Sequence, residues 1–176
     1  MNLIIRKFVE GDVDQVWAIE KAVFPSPWSR RLFLGELDSP HSLLLVADTE
    51  SEIIGYSGLW RLFDMGHITN LAVEPGHRRR GLGSLLLAKI MLEAVSTGVH
   101  RISLEVRRSN SPAIRLYENF GFELVGTRNN YYPETGEDAL AFMKEGVGLD
   151  AGRELEGLAT KLTSDFLGER TDGADG

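Results

Sequence analysis

The segment that most constrains the fold of this chain is the run HRRRGLG, residues 77–83, which joins an apolar strand-like segment to an amphipathic helix. Glycine permits backbone conformations that bring N–H groups close to an anion, and the first turn of a following helix presents further unpaired N–H groups. Three consecutive arginines, Arg78, Arg79 and Arg80, add positive charge. The run therefore predicts a strand–loop–helix unit that binds an anion such as a pyrophosphate.

Other interpretations of this loop stay open. A dinucleotide-binding turn would use Gly81 and Gly83, and Glu105 lies near the distance expected for a ribose-binding acid, but Leu86 stands where the third glycine belongs. A Walker loop is excluded because the run lacks Gly-Lys-Ser/Thr. A solvated basic turn before a helix is the simplest alternative, so the loop alone does not decide the function.

Composition narrows the classes of protein and of mechanism. The chain has 176 residues, 43% of them hydrophobic, and no cysteine, which excludes a disulfide, a thiolate metal site and an acyl-cysteine intermediate. Its four histidines lack the spacing of a metal site, so we expect no metal. A net charge of −7 argues against general nucleic-acid binding. Without a long apolar run or a secretory signal, we expect no membrane span and a cytoplasmic location.

The hydrophobic pattern predicts seven strands and four helices before residue 145. Asp12 and Ser29 are positioned to cap the first two helices, and Gly121 is placed to end the fourth in a left-handed conformation. The first helix carries Val13, Val16, Trp17 and Glu20 at helical spacing. The predicted helices run from Asp12 to about Phe24, from Ser29 to Leu37, from Gly83 to Thr97 and from Ser111 to Asn119.

Predicted strands and helices do not alternate regularly, so we expect an α/β (α+β) fold with a mixed sheet and helices on both faces. The predicted strands are Leu3–Phe8, Ser42–Ala47, Ile53–Leu62, His67–Val73, Arg101–Val106, Phe122–Arg128 and Asp138–Lys144.

The composition changes after the last predicted strand. We expect residues 1–145 to form one domain and residues 146–176 to form an acidic, glycine-rich tail. Between residues 145 and 176 there are eight acidic and three basic residues. Spaced leucines and a phenylalanine predict a helix at about 149–167, and we expect Gly168–Gly176 to be disordered. Such a tail is a candidate docking element for a protein partner.

Motifs around the loop resemble those of the GNAT superfamily of N-acetyltransferases over about residues 3–144. They are Asn70-Leu71-Ala72-Val73, the arginine–glycine loop, Asn110 through Tyr117, and Gly121-Phe122. Further motifs resemble the RimI type, which acetylates the N-terminal alanine of protein eighteen of the small ribosomal subunit. They are Pro27-Trp28-Ser29, Leu104-Glu105-Val106-Arg107, Leu116-Tyr117-Glu118, and Arg128 with Tyr131-Tyr132-Pro133.

The resemblance implies a mostly antiparallel sheet and acetyl-CoA as co-substrate. The strand before the loop would pair its backbone with the pantetheine arm, and the loop would hold the pyrophosphate through N–H groups at a helix start. The acetyl-CoA-binding residues that the resemblance implies are Leu71, Ala72, Val73, Arg78, Arg79, Arg80, Gly81, Leu82, Gly83, Ser84 and Asn110.

Two residues would carry the chemistry by the same resemblance. Glu105 would be the general base and Tyr117 would protonate the departing CoA thiolate; on their own they also fit an exposed strand carboxylate and a tyrosine at the core edge. With no cysteine available, direct attack of the amine in a ternary complex is the simplest mechanism. Candidate substrate-binding residues are Trp28, Arg128, Tyr131 and Tyr132.

Three hypotheses of function remain at this stage. The first is a protein N-terminal acetyltransferase with a ribosomal substrate. The second is a GNAT enzyme that acetylates a small amine or an antibiotic. The third is a catalytically silent acyl-CoA-binding module that acts through a partner. The motifs Pro27-Trp28-Ser29 and Tyr131-Tyr132-Pro133 favour the first, and Glu105 and Tyr117 speak against the third.

Overall fold

A seven-stranded sheet with helices on both faces forms the part of the chain that the computed structural model describes, residues 2–168. Its order is β1-β2-β3-β4-β5-β7-β6, and every neighbouring pair is antiparallel except β4 and β5. This confirms the predicted mixed, mostly antiparallel sheet. The strands are β1 Ile4–Lys7, β2 Ser42–Asp48, β3 Ile53–Leu62, β4 Met65–Val73, β5 Arg101–Arg107, β6 Glu123–Tyr132 and β7 Glu137–Lys144.

Five α-helices flank this sheet within the same residues: α1 Val13–Val23, α2 Arg30–Leu37, α3 Leu82–Ser96, α4 Ser111–Asn119 and α5 Leu149–Leu167. They divide between two hydrophobic clusters. One cluster joins α3, α4 and α5 to one face of the sheet, and the other joins α1 and α2 to the opposite face. Strands β2, β3 and β4 supply both clusters, and in β2 the neighbours Leu45 and Val46 point to opposite faces.

The smaller cluster centres on Phe33, whose ring packs against Tyr56 and Trp28 at centroid distances of 5.6 and 5.5 Å. Ser29 caps α2 as predicted, because its Oγ accepts a hydrogen bond from the Leu32 N–H at 3.2 Å. These contacts fix where the chain between α1 and α2 lies. That segment, Phe24–Trp28, forms part of the site described below.

The predicted side-chain cap at Asp12 is wrong. The Asp12 carboxylate accepts hydrogen bonds from the Val9 N–H and from both Nη atoms of Arg6, so it does not reach the first turn of α1. Burial works against ionisation of Asp12, but the bonds from Arg6 and Val9 outweigh it and hold the pKa of the carboxyl below its ordinary value. Asp12 therefore closes the short helical turn that precedes α1.

Helix α5 packs along α3 and runs antiparallel to it. A Cβ at Gly152, near the start of α5, would lie 3.5 Å from Val95 at the end of α3. At the other end of α5, Leu162 lies beside Gly81, which precedes α3. The apolar side of α5, including Leu155, is thus occupied by the chain's own core.

No helix within residues 2–168 is long and apolar enough to cross a membrane. The disorder predicted at the carboxyl end falls, from residue 169 onward, outside the described residues.

Candidate active site

A cavity lies where the two parallel strands of the sheet stop pairing. Strand β4 pairs with β5 only as far as Ile68 and Leu104, although β4 continues to Val73 and β5 to Arg107. A cavity of about 500 Å³ opens at this point. Beyond Ile68, the edge of β4 that faces β5 has no strand partner within residues 2–168, so backbone groups there are available to a ligand.

A β-bulge in β4 lies at the floor of this cavity. Gly58 of β3 pairs with Asn70 and Leu59 pairs with Ile68, so Thr69 is an extra residue without a strand partner. Among the described residues, Thr69 Oγ1 and Ser57 Oγ are buried and have no hydrogen-bond partner. Bulges and unpaired buried polar atoms are typical of ligand sites.

Glu105 lies in the wall of the cavity and is not an exposed strand carboxylate. Its side chain is 12% exposed. Arg128 Nε lies 3.0 Å from Glu105 Oε1, and His67 Nε2 lies 3.0 Å from Oε2. The other ring nitrogen of His67 is 2.9 Å from Ser103 Oγ. The carboxylate is therefore fixed by one histidine that is itself held in place and by one arginine that is 59% exposed.

Tyr117, on α4, lines the same cavity and is 7% exposed. Its ring packs edge-on against Phe122 at a centroid distance of 5.9 Å. Burial raises the pKa of Tyr117 well above that of a free phenol, and Tyr132 adds to the effect. At neutral pH the phenol is thus protonated and is a hydrogen-bond donor.

Glu20 is a buried carboxylate in the cavity wall. From the sequence it was predicted only to lie on the apolar face of the first helix, and no role was assigned to it. It is 1% exposed, and it accepts hydrogen bonds from the Trp28 N–H at 2.8 Å and from the Tyr56 hydroxyl. Burial raises the pKa of Glu20, and these two bonds offset that only in part. A charged residue among helical apolar positions was the signal that could have identified it.

Arg107 ties the β6–β7 hairpin to the end of β5 and so shapes the opposite wall. Its guanidinium lies 3.8 Å from the centroid of the Tyr132 ring and bonds to Glu134 and to Thr135 Oγ1. Tyr132 lines the cavity, and burial raises its pKa to about 12. Tyr131 packs edge-on against Tyr132 and lies outside the cavity lining.

Of the other predicted substrate contacts, Trp28 lines the cavity and stacks on Trp60, with 6.2 Å between ring centroids. Arg128 lies outside the cavity lining but forms an ion pair with Glu105, which lines it. The structure thus brings Trp28 and Tyr132 to the cavity, and it leaves Arg128 and Tyr131 beside it.

The anion loop, residues 78–84, follows β4 and leads into α3. Arg79 has φ 62° and Gly81 has φ 81°, both left-handed. Such residues turn successive N–H groups toward one side and create a concavity that binds anions. For Arg79 the conformation costs about 1–2 kcal/mol, because its Cβ approaches the backbone. Gly81 also precedes the first turn of α3, where the N–H groups of Leu82, Gly83 and Ser84 have no partner within the helix.

The anion loop, the end of β4 and α4 converge. Arg78 Nε donates to the Val73 carbonyl at 3.2 Å, which fastens the loop to β4. A Cβ at Gly83 would lie 3.7 Å from Leu116 of α4 and 3.9 Å from Val73. Leu71 and Asn110 line the cavity, while Ala72 is buried on the other face of β4. Asn110 also caps α4, accepting from the Ala113 N–H at 3.3 Å.

Comparisons with known proteins agree with this geometry. The acetyltransferase (GNAT) family model matches residues 13–122. A Bacillus subtilis protein provisionally named [ribosomal protein bS18]-alanine N-acetyltransferase is 41% identical over 137 residues, 77% of this chain and 91% of that protein. The Salmonella typhimurium [ribosomal protein bS18]-alanine N-acetyltransferase is 37% identical over 132 residues, 73% of this chain and 88% of that protein.

A solved structure shows the same arrangement of strands and helices. The crystal structure of the Escherichia coli ribosomal-protein-S18-alanine N-acetyltransferase has a TM-score of 0.76 and 31% identity, covering 82% of this chain and 94% of that chain. Because the GNAT family model covers the anion loop, we no longer interpret this loop as a dinucleotide-binding turn. This chain belongs to the GNAT family of N-acetyltransferases.

Proposed function

We propose that this protein transfers the acetyl group of acetyl-CoA to the N-terminal alanine of ribosomal protein bS18. One observation carries the proposal: a buried carboxylate, Glu105, and a buried phenol, Tyr117, line one cavity together with the unpaired edge of β4. The relatives named for this activity support the choice of acceptor. Because a ribosomal protein is the substrate, we place the reaction in the cytoplasm.

The site has the features that acetyl-CoA binding needs. The left-handed anion loop and the first turn of α3 offer N–H groups to the pyrophosphate. The free edge of β4, from Leu71 to Val73, offers backbone groups to the pantetheine arm, which carries amides of its own. An N–H of this edge would stabilise the negative charge that develops on the thioester oxygen.

In this proposal Glu105 removes a proton from the α-ammonium group. An α-amine has a pKa of about 7.7–8.0, so a carboxylate, directly or through one water, suffices to free its lone pair near neutral pH. Arg128 is the exposed partner of Glu105, and the incoming ammonium takes its place. His67, held by Ser103, keeps the other carboxylate oxygen in position.

Tyr117 acts as a hydrogen-bond donor to the departing sulfur. A thiol has a pKa of about 8.5, far below that of the buried Tyr117 phenol, so complete proton transfer from Tyr117 is uphill. Donation of a hydrogen bond still stabilises the developing thiolate. Acetylation removes two protons from the α-ammonium nitrogen: Glu105 takes the first before attack and passes it to solvent. The second leaves the nitrogen as the tetrahedral intermediate collapses, and it balances the proton that the thiolate takes up from water.

The reaction proceeds by direct attack within a ternary complex. The amine nitrogen forms a bond to the thioester carbon, the carbonyl electron pair moves to oxygen, and its return breaks the carbon–sulfur bond. The products are an N-acetylated peptide and CoA. The chain has no cysteine to carry an acyl intermediate.

The walls of the cavity fit a cationic peptide end. Glu20, Glu105 and Glu134 line it, and Arg107, which also lines it, pairs with Glu134. Trp28 lies on the α1–α2 side and Tyr132 on the hairpin side. Carboxylates and aromatic rings together attract a positively charged chain terminus. A small amine carries the same ammonium group, so it is the relatives named for a protein acceptor that favour the peptide.

The proposal is tested by following CoA release with matched acceptors. Peptides that begin Ala-Arg, Met-Lys and Ser-Glu are compared with an N-acetylated lysine peptide and with small amines. We expect the alanine peptide to be acetylated fastest, and Glu105→Gln to remove most of that rate. Turnover confined to small amines would overturn the peptide substrate, and absence of turnover with every acceptor would overturn the enzymatic proposal.

A further inference from the structure

We propose that α5 is part of the acetyl-CoA site, with Phe166 as a positioning residue that orients Arg80 in the anion loop. The inference rests on the proposed use of acetyl-CoA and extends it to a helix outside the matched family region, residues 13–122. It assigns to α5 an effect on cofactor affinity and not on the chemical step.

The first support is where the end of α5 lies. Because α5 runs antiparallel to α3, its last turns reach the start of α3, where the anion loop is. Leu162 Cδ2 would lie 3.6 Å from a Cβ at Gly81. The left-handed Gly81 is therefore covered on one side by α5.

The second support is a direct contact between Phe166 and Arg80. The guanidinium carbon of Arg80 lies 4.3 Å from the centroid of the Phe166 ring. Phe166 is 5% exposed and belongs to the main hydrophobic cluster, whereas Arg80 is exposed. A buried ring thus holds an exposed, charged side chain through a cation–π contact.

The contact leaves Arg80 able to bind phosphate. Stacking uses the flat face of the guanidinium, and its N–H groups at the rim remain directed outward as donors. An arginine fixed in this way loses less side-chain entropy when it binds a phosphate than a free one does. Arg78 is held by a hydrogen bond to the Val73 carbonyl. The loop therefore contacts β4 through Arg78 and α5 through Arg80.

A double-mutant cycle on the full-length chain tests the inference. The variants are Phe166→Leu, Arg80→Gln and the double variant, and each is assayed with acetyl-CoA and with acetyl-pantetheine, which lacks the pyrophosphate. We expect each single variant to raise the KM for acetyl-CoA about 3-fold with kcat unchanged. The double variant should be no worse than Arg80→Gln, and the KM for acetyl-pantetheine should not change.

Two further variants separate positioning from packing. Phe166→Tyr keeps the aromatic face and should restore the wild-type KM for acetyl-CoA. Leu155→Ala removes buried side chain from the same helix, away from the loop, and should lower stability without changing that KM. The second variant also shows whether loss of α5 packing alone affects the site.

The inference is overturned if folded Phe166→Leu has the wild-type KM for acetyl-CoA, if its effect is the same in the Arg80→Gln background, or if acetyl-pantetheine is affected equally. A wild-type protein that does not bind acetyl-CoA would overturn the proposed function itself. A wild-type protein that binds acetyl-CoA but shows no coupling between the two residues would overturn this inference alone.

Discussion

The cavity and the anion loop differ in the chemical groups that they present to a ligand: side chains in the cavity, mainly backbone N–H groups in the loop. In the cavity the proposed active groups are the side chains of Glu105 and Tyr117, which are largely buried and held by neighbours. In the anion loop the side chains of Arg78, Arg79 and Arg80 are exposed, and left-handed residues turn backbone N–H groups toward one side, where they bind an anion together with the Arg80 guanidinium in our proposal.

This difference indicates a division of labour. Proton transfer and thiolate stabilisation gain from a desolvated environment, because electrostatic interactions are stronger there than in water. A pyrophosphate that stays near solvent is better held by several fixed backbone donors. Substitutions in the cavity should therefore change kcat, and changes in loop geometry should change affinity for acetyl-CoA.

The largest effect is expected from Glu105→Gln. The variant keeps the size of the side chain but removes the base, so kcat should fall about 100-fold or more at pH 7. Steady-state kinetics with an alanine-starting peptide measure this, and wild-type kinetics across pH 6–9 serve as the reference. A kcat within a few-fold of wild type would show that another group, or water, is the base.

Asp12→Asn is a control outside the cavity lining, because Asp12 is bonded to Arg6 on the edge strand β1. Because the folded-state pKa of Asp12 is lowered, its stabilisation is present above the unfolded pKa of about 3.9 and is lost as the pH falls through the folded value. We expect a loss of about 2 kcal/mol in the free energy of unfolding at pH 7.

Urea unfolding at pH 7 and near pH 3 tests this, and the difference between variant and wild type should shrink at the lower pH. The kinetic constants at pH 7 should match those of wild type. A changed kcat would show that stability and chemistry are not separable in this fold.

A smaller effect is expected from Tyr117→Phe. The ring still packs against Phe122, so only the hydroxyl donor is lost. Because a thiolate is a good leaving group, kcat should fall only about 10-fold. A loss as large as that of Glu105→Gln would assign to Tyr117 an obligatory proton transfer, and an unchanged kcat would remove it from the reaction.

The sequence predicted elements well where turn residues mark their ends. Strand β3 and helix α4 have the predicted bounds, because polar residues 48–52 precede one and Ser111-Pro112 begins the other. Strand β6 is longer than predicted and runs to Tyr132. The two asparagines after Arg128 are typical of a turn, but Asn130 takes φ 52° within a bulge and donates its N–H to Asp138.

The side-chain contacts of the site residues could not be predicted from the sequence. The contacts of Glu105 with His67 and Arg128, and of Arg80 with Phe166, join residues that are far apart in the chain. Local spacing carries no signal for such pairs. They follow only from the strand order and from the packing of α5 on α3.

The most direct test of the division of labour is the dissociation constant of acetyl-CoA, measured by calorimetry for wild type, Glu105→Gln and Gly81→Ala. A Cβ at Gly81 meets only an ordinary contact at 3.6 Å, so the cost of alanine there is the left-handed backbone, about 1–2 kcal/mol. We predict wild-type affinity for Glu105→Gln and about 10-fold weaker binding for Gly81→Ala. Weaker binding by Glu105→Gln, or unchanged binding by Gly81→Ala, would contradict this prediction.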